Sequence, residues 1–420
     1  MDKVLVGMSG GVDSSIAAFL LKERGYEVIG VTLHVWANPA PSSRDRERGC
    51  CAVDAVGDAM DVCERLGIPH RLVDARTAFT AGVIEPFADA YISGRTPNPC
   101  IECNRAVKFE ALLRVAAREG AGLIATGHYA RLERTADSRV EIRRPRDVRK
   151  DQSYVLYALT QETLGCLLLP IGELTKEDVR RIARENSLPV ADKADSVEIC
   201  FVPDGDHGGF LSRFRPGAMV PGPISDIEGR TVGTHEGIAR YTIGQRRGLG
   251  VAAGERRYVV RLDAGGNRVV LGSRSDLAVS TIDVESMNWV SVHEPTAGPV
   301  FVQYRSTMMA VPGEFSPGLH GGGRVRFSSP QYGVAAGQAA VLYDGDRLLG
   351  GGTILRTFPL TPAFSPPRRG EGDGDEDPDP APPIARRGMA DGSTFASLSP
   401  KGRATVLNVK MSERHFHARG

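Results

Sequence analysis

The sequence has no surplus of either charge: 52 Lys and Arg stand against 51 Asp and Glu in 420 residues. Bulk charge therefore neither supports nor excludes a nucleic-acid partner, because local patches decide that. It also lacks any apolar stretch near the roughly 20 residues of a membrane-spanning helix. The strand-like run Val4–Met8, following Asp2 and Lys3, is too short for a signal-peptide core. No membrane partner is expected, and a cytoplasmic location follows by default. An even cysteine count is missing too. Seven cysteines (Cys50, Cys51, Cys63, Cys100, Cys103, Cys166, Cys200) in a long chain argue against a disulfide framework and for reactive, metal-binding or core thiols. There is no internal repeat. What is present is an ordinary globular composition, 41% hydrophobic and 25% charged, long enough for two or three domains.

The first half alternates strand and helix patterns. Val4–Met8, Val28–Val35, His70–Val73 and Gly122–Thr126 read as strands. Val12–Arg24, Ala52–Leu66 and Arg105–Glu119 read as helices. Repeated βα units predict an α/β fold, a Rossmann-like parallel sheet covered on both faces, with ligands at the carboxyl ends of its strands. After about Asp204, short β-like runs separated by Gly and Pro take over, among them Arg257–Leu262, Arg268–Leu271, Val300–Arg305, Arg324–Phe327 and Ala339–Tyr343. These predict a small middle domain and then a C-terminal β-barrel. The expected boundaries are 1–204, 205–279 and 280–359. The segment 360–420, rich in Pro, Gly and acids, is expected to be a disordered tail. His415 and His417 within it are not assigned a metal.

Ser9-Gly10-Gly11-Val12-Asp13-Ser14-Ser15 lies between a predicted buried strand and a predicted helix. Glycines there let the backbone approach a phosphate, and helix N-terminal N–H groups with serine hydroxyls can hold an anion. An ordinary glycine-rich turn is the plain alternative. The loop lacks the Gly-Lys-Ser/Thr ending of a kinase-type P-loop. It resembles the signature of the PP-loop ATP pyrophosphatases, which implies attack at the α-phosphate, adenylation of a substrate and loss of pyrophosphate.

Two cysteine-bearing strings follow. One runs from Gly94 through Pro97-Asn98-Pro99-Cys100-Ile101-Glu102-Cys103; the other is Asp195-Ser196-Val197-Glu198-Ile199-Cys200-Phe201. The Pro-Asn-Pro turn would present Cys103 near the start of the helix from Arg105, where a helix N-terminus favours the thiolate. Together with Gly127-His128-Tyr129, Lys150-Asp151-Gln152-Ser153-Tyr154, Tyr241 to Gly250, Tyr304-Arg305 and Pro330 to Gly352, these strings closely resemble the bacterial tRNA-specific 2-thiouridylase family. The resemblance covers roughly residues 1–358.

That resemblance implies ATP-dependent 2-thiolation of the wobble uridine of tRNA. Gly7, Met8, Ser9, Gly10, Gly11, Val12, Asp13, Ser14, Leu33 and Gly127 would line the ATP site, with Mg2+ accompanying the nucleotide. Cys200 would carry sulfur as a persulfide, and Cys103 would resolve the intermediate through a transient Cys103–Cys200 disulfide. Asn98, Pro99 and Cys100 would lie against the target uracil. His128, Lys150, Asp151, Gln152, Tyr304, Arg305 and Gln338 would contact tRNA, in the family those for Lys, Glu and Gln. A separate sulfur-donor protein is implied.

The chemistry is coherent in itself: adenylating an unreactive carbonyl oxygen makes the ring carbon electrophilic, and a persulfide delivers sulfur by thiol–disulfide chemistry. Cys100 departs from the family, which mostly has Asp there. With Cys103 and Cys200 it opens an alternative, a three-cysteine [4Fe-4S] cluster. A further alternative is a PP-loop adenylating enzyme without thiolation. Cys50-Cys51 reads as incidental, and Cys63 and Cys166 as core residues. The basic run Arg139 to Lys150, a solvated hairpin if taken alone, becomes a candidate RNA contact beside the PP-loop; Arg246-Arg247 has the same standing.

Overall fold

A computed structural model describes residues 1–36, 53–195, 199–202, 204–251, 256–291, 296–318, 321–360, 392–398 and 404–410. The first module is built on parallel strands β1 (Lys3–Gly7), β2 (Glu27–His34), β3 (His70–Asp74) and β4 (Leu123–Ala125). An antiparallel hairpin, β5 (Arg131–Arg134) and β6 (Val140–Arg143), follows, and then β7 (Leu167–Leu168) returns to the sheet. The parallel order is β3-β2-β1-β4-β7. Chain direction across the sheet reverses between β1 and β4, which opens a crevice at their carboxyl ends.

Period-two alternation covers both faces of this sheet. Leu5 points into a core with Leu112, Val115 and Ile124, on the side of the helix Phe109–Glu119. Val4 and Val6 point the other way, to Ile16 and Leu21 of helix α1 (Val12–Glu23) and Val62 of helix α2 (Val53–Leu66). Val179 and Ala183, from the helix Lys176–Glu185, join that second core. The Thr175–Asp178 capping box starts this helix, each side chain meeting the other's backbone N–H at 3.1 Å.

The middle module is a four-stranded sheet of β8 (Gly222–Asp226), β9 (Thr231–His235), β10 (Tyr258–Asp263) and β11 (Arg268–Gly272), in the order β10-β11-β8-β9. The helix His207–Phe214 before it inserts Phe210 and Leu211 into a core shared with the first module. The last module has strands β12 (Ala278–Trp289), β13 (Gly298–Gln303), β14 (Val311–Pro317), β15 (Gly323–Tyr332), β16 (Ala339–Asp344) and β17 (Arg347–Pro359). They run β12-β15-β14-β13-β16-β17, and β12–β17 pairing closes them into the predicted barrel. The hairpin of β5 and β6 adds to β17, with Ile142 opposite Leu348, so the first module is hydrogen-bonded to the barrel.

Two expectations need correction. The basic run is not an open cationic strip. Arg143 pairs with Glu133, Glu141 and Asp346, Arg144 with Asp151 while lying over the Tyr343 ring, and Arg149 with Asp147 and Glu177. Half-buried Arg143 and Arg144 fasten the hairpin to its surroundings, whereas Arg149 makes its pairs at the surface. Within the expected disordered tail, Gly392–Leu398 and Ala404–Lys410 are strands paired with each other, the first also with β3. The exposed backbone edge of β3 is the physical reason: it offers unpaired donors and acceptors. His415 and His417 lie outside the described residues.

Candidate active site

The phosphate loop sits where the sheet topology puts it, between β1 and α1 at the β1/β4 crevice. Gly10 has φ +68°, and a Cβ there would stand 2.2 Å from the Ala55 carbonyl oxygen. Only glycine fits. Ser14 Oγ donates to Gly11 O at 3.0 Å and accepts from Ser9 N at 3.2 Å; Ser15 Oγ also donates to Gly11 O, at 2.9 Å. The loop is thus held open from within, with Ser9 exposed and the first N–H groups of α1 unspent on side chains. Gly127, arriving from β4, presses on this helix start: a Cβ would lie 2.6 Å from Ser14 N. The residues present fit a polyphosphate at this point.

Behind the loop lies a charged network. Asp13 accepts from Tyr129 Oη at 2.8 Å and from Lys176 Nζ at 2.8 Å. Lys176, 9% exposed, also meets Asp195 at 2.8 Å. Asp195 further binds Lys150 at 2.7 Å and Arg180 at 2.9 Å. Burial raises the Asp195 carboxyl, but Lys150 and Lys176 overcome it and bring its pKa down to about 2. Lys193 Nζ donates to Gly10 O at 3.0 Å and pairs with Asp58. Sequence reading missed Tyr129, Lys176, Lys193 and Asp195 as site residues. Tyr129 and Asp195 stood in the Gly127-His128-Tyr129 and Asp195–Phe201 strings, without a role of their own.

Cys103 and Cys200, distant in sequence, pack against one apolar cluster that includes Phe79, Phe87, Phe201 and Phe210. Leu33, at the carboxyl end of β2, borders the same cluster. The two cysteines are half-buried, whereas Cys100 is exposed. The helical segment begins earlier than the sequence suggested. Asn98 caps it, its Oδ1 accepting from Cys100 N at 3.1 Å, and Pro99 fills the first turn. Cys103 is therefore a turn inside the helix, so the favourable N-terminal field acts more on Cys100. Among the described residues, no three His, Cys, Asp or Glu side chains converge as metal ligands. Cys100, Cys103 and Cys200 do not present a preassembled cluster site.

The 94–98 loop is clasped by all three modules. Gly94 meets Leu262 of β10, Thr96 N donates to Ala336 O at 2.8 Å, and Gly337, at φ +90°, leaves 2.9 Å between its Cβ position and Thr96 N. Arg95, Asn98, Glu102, Tyr157 and Gly337 line an open cleft. Thr96 Oγ1 is buried beside it without a hydrogen-bond partner.

The other predicted substrate contacts have varied placements. His128 is buried and stacked on Phe109, with Nδ1 at 2.8 Å from Thr126 Oγ1. Burial, then the Lys108 ammonium, holds its pKa well below the usual value, so it is neutral. Asp151 is committed to Arg144 and Ser153, and Gln152 Oε1 accepts from Tyr129 N at 2.9 Å. Tyr304 is buried, its hydroxyl on Gln331 at 3.1 Å. Arg305 is exposed and donates to Tyr332 O at 3.1 Å. Gln338 Oε1 accepts from Ala335 N at 3.2 Å. Cys50 and Cys51 lie outside the described residues. Cys63 is a core thiol, pushed up to about 12 by burial, and half-buried Cys166 donates to Thr163 O at 3.3 Å.

Against known proteins, the tRNA methyl transferase HUP domain matches residues 2–204. The tRNA methyl transferase PRC-barrel domain matches 208–273, and the aminomethyltransferase beta-barrel domain matches 279–354. The tRNA-specific 2-thiouridylase MnmA of Pelotomaculum thermopropionicum is 47% identical over 360 residues, spanning 84% of this chain and 98% of that protein. The proteins of the same name from Clostridium perfringens and Rhodospirillum centenum are 44% and 45% identical, each over 84% of this chain and over 98% and 92% of their own lengths. The chain belongs to the tRNA-specific 2-thiouridylase family.

Proposed function

We propose that this enzyme converts the wobble uridine of tRNA to 2-thiouridine at the expense of ATP. The observation that carries the reading is that Cys103 and Cys200 adjoin one cluster bordering the sheet that bears the phosphate loop. Gly7 to Ser14, Leu33 and Gly127 hold ATP, with Mg2+ on its phosphates. The uracil O2 attacks the α-phosphate, and pyrophosphate leaves. The terminal sulfur of a Cys200 persulfide then attacks C2, and AMP departs with the original oxygen. Cys103 thiolate attacks Cys200 Sγ, leaving the sulfur on the base and forming a Cys103–Cys200 disulfide. A dithiol reductant reopens it, and a sulfur-donor protein reloads Cys200.

The target nucleotide leaves its stack and enters the cleft beside Asn98 and Pro99. Exposed Cys100, Gln152 and Arg305, with Lys150, form the tRNA-facing set. Buried His128 and Tyr304, with half-buried Asp151 and Gln338, shape that surface from beneath. The substrates are the tRNAs for Lys, Glu and Gln, and the enzyme works in the cytoplasm. Nucleoside analysis of tRNA incubated with ATP, a persulfide donor and the protein tests this. 2-Thiouridine at the wobble position is expected, with one pyrophosphate per base. Pyrophosphate release without a thiolated base would assign the site to another adenylation.

A further inference from the structure

Arg246 and Arg247 sit in a different setting from the arginines of the hairpin. Both are exposed, on the Gly-rich loop that follows Thr242. That loop is pinned in place. Gly244 N donates to Val259 O at 2.8 Å, and Val259 N donates back to Gln245 O at 2.9 Å. The Gln245 side chain accepts from Thr242 N at 3.1 Å and donates to Arg247 O at 3.0 Å, while Leu249 is buried beneath. Val259 belongs to β10, so these bonds set Arg246 beside Arg256 and Arg257, just before that strand; the three line one open hollow. The cationic surface continues onto the barrel. Gly244 lies against Gly333, its Cβ position 3.4 Å from the Gly333 Cα. Arg305 donates to Tyr332 O at 3.1 Å and also reaches Gly333 O. Exposed Arg274 lies over the exposed Tyr332 ring, 5.1 Å from its centre. Among the described residues none of these six arginines meets a carboxylate, whereas Arg143, Arg144 and Arg149 each do.

We infer, on the tRNA reading proposed above, that Arg246, Arg247, Arg256, Arg257, Arg274 and Arg305 form one phosphate-gripping stripe across the middle module and the barrel, and that the backbone of the anticodon arm occupies it. Adjoining like charges repel one another, and a strand of regularly spaced phosphates relieves that repulsion while releasing its own counterions. The planar guanidinium fork suits phosphate oxygens. β10 supplies the ruler. It leads from Arg257 to Leu262, whose Cβ stands 3.2 Å from the Cβ position of Gly94 in the base-side loop. Five residues of strand span at most about 17 Å, equal to about five rises of 3.4 Å along one nucleic-acid strand. With the target base beside Asn98, the backbone that meets the stripe therefore lies a few nucleotides away, in the same arm. Such contacts orient the arm and read no sequence, so the stripe serves every tRNA that the cleft admits.

The test is a salt titration of RNA binding by the full-length protein, read by fluorescence anisotropy with whole tRNA and with its isolated anticodon stem–loop. The double variant Arg246→Gln, Arg257→Gln should bind both RNAs about tenfold or more weakly at low salt. Its plot of log affinity against log salt should be shallower by about 1.4 to 1.8, two phosphate contacts at about 0.7 to 0.9 each. The matching pair Arg246→Lys, Arg257→Lys keeps the charge and should restore the slope, which a purely structural role would not require. Should the double variant fail to fold, Arg274→Gln, a single exposed change on the barrel side, should lower the slope by about 0.7 to 0.9. An unaltered slope in the folded Gln variants, or a loss seen with whole tRNA and absent with the stem–loop, overturns the inference. Either result leaves thiolation standing where the unmodified protein still forms 2-thiouridine. Stripe-dependent RNA binding with no 2-thiouridine formed would overturn the proposed function alone.

Discussion

The two halves of the crevice are built on different principles. The nucleotide half is made within one module, from a strand, a turn and a helix close together in sequence. Ser9, Gly11, Ser14 and Ser15 satisfy one another, and α2 and Gly127 close in from the sides. The sulfur and base half is a meeting of parts: an early helical turn, a late cysteine segment, β10 of the middle module and the 336–337 turn of the barrel. A local site tolerates changes in the other modules. A composite site inherits every inter-module displacement, which suits the proposed entry of an unstacked base.

The largest effect expected on this comparison comes from the thiols. Cys200→Ser and Cys103→Ser should each reduce 2-thiouridine to background while ATP affinity stays within about twofold, on the order of 0.4 kcal/mol. Thiolation surviving in either variant would sink the two-cysteine route. Next is Gly127→Ala, whose Cβ would stand 2.6 Å from Asp13 C and Ser14 N. Overpacking of about 1–3 kcal/mol at the helix start should weaken ATP binding by about tenfold or more. Calorimetry showing unaltered ATP affinity would contradict the placement of nucleotide there.

Gly337→Ala should act on the opposite half. Its strained φ and 2.9 Å approach to Thr96 should displace the 94–98 loop. The KM for tRNA should rise severalfold, about 1 kcal/mol, with the ATP constant unmoved. Equal changes in both constants would erase the distinction between local and composite halves.

The smallest effect at neutral pH concerns His70, buried behind the phosphate loop. Its Nε2 lies 2.8 Å from Thr32 Oγ1, which in turn donates to Met8 O at 3.0 Å. Burial, with help from Arg71, lowers its pKa from 6.5 to about 4. The unfolded chain therefore binds the extra proton between those values. The stability owed to neutral His70 is fully present above pH 6.5 and is lost as pH falls toward 4, about 3 kcal/mol in all. Denaturant titrations of His70→Leu should show a flatter acid limb than the parent. An identical limb would mean that other buried histidines, such as His128, set it.

Much of the site was legible because its signals are local. A Gly-Gly turn between a buried strand and a helix implies a phosphate cradle from backbone geometry alone. The Asn98-Pro99 string implies a capped helix start, although that start proved to precede Cys103 by a turn. The barrel was readable from alternating β runs. Charged residues misled: the arginines of the 139–149 run read as a surface for RNA, yet Arg143, Arg144 and Arg149 bind carboxylates from residues 133 to 346. A charge's partner is set by what folding brings near it, and sequence spacing carries no record of that.

By itself, then, the sequence determined the βα alternation, the phosphate loop and the presence of two candidate thiols, because each depends on neighbours within a few positions. Only tertiary structure decided that Cys103 and Cys200 share one cluster, that Lys176 joins Asp13 to Asp195, and that Gly94 and Gly337 clasp the base-side loop. These contacts bridge long stretches of chain, and they exist because a parallel sheet gathers the carboxyl ends of its strands at a single edge.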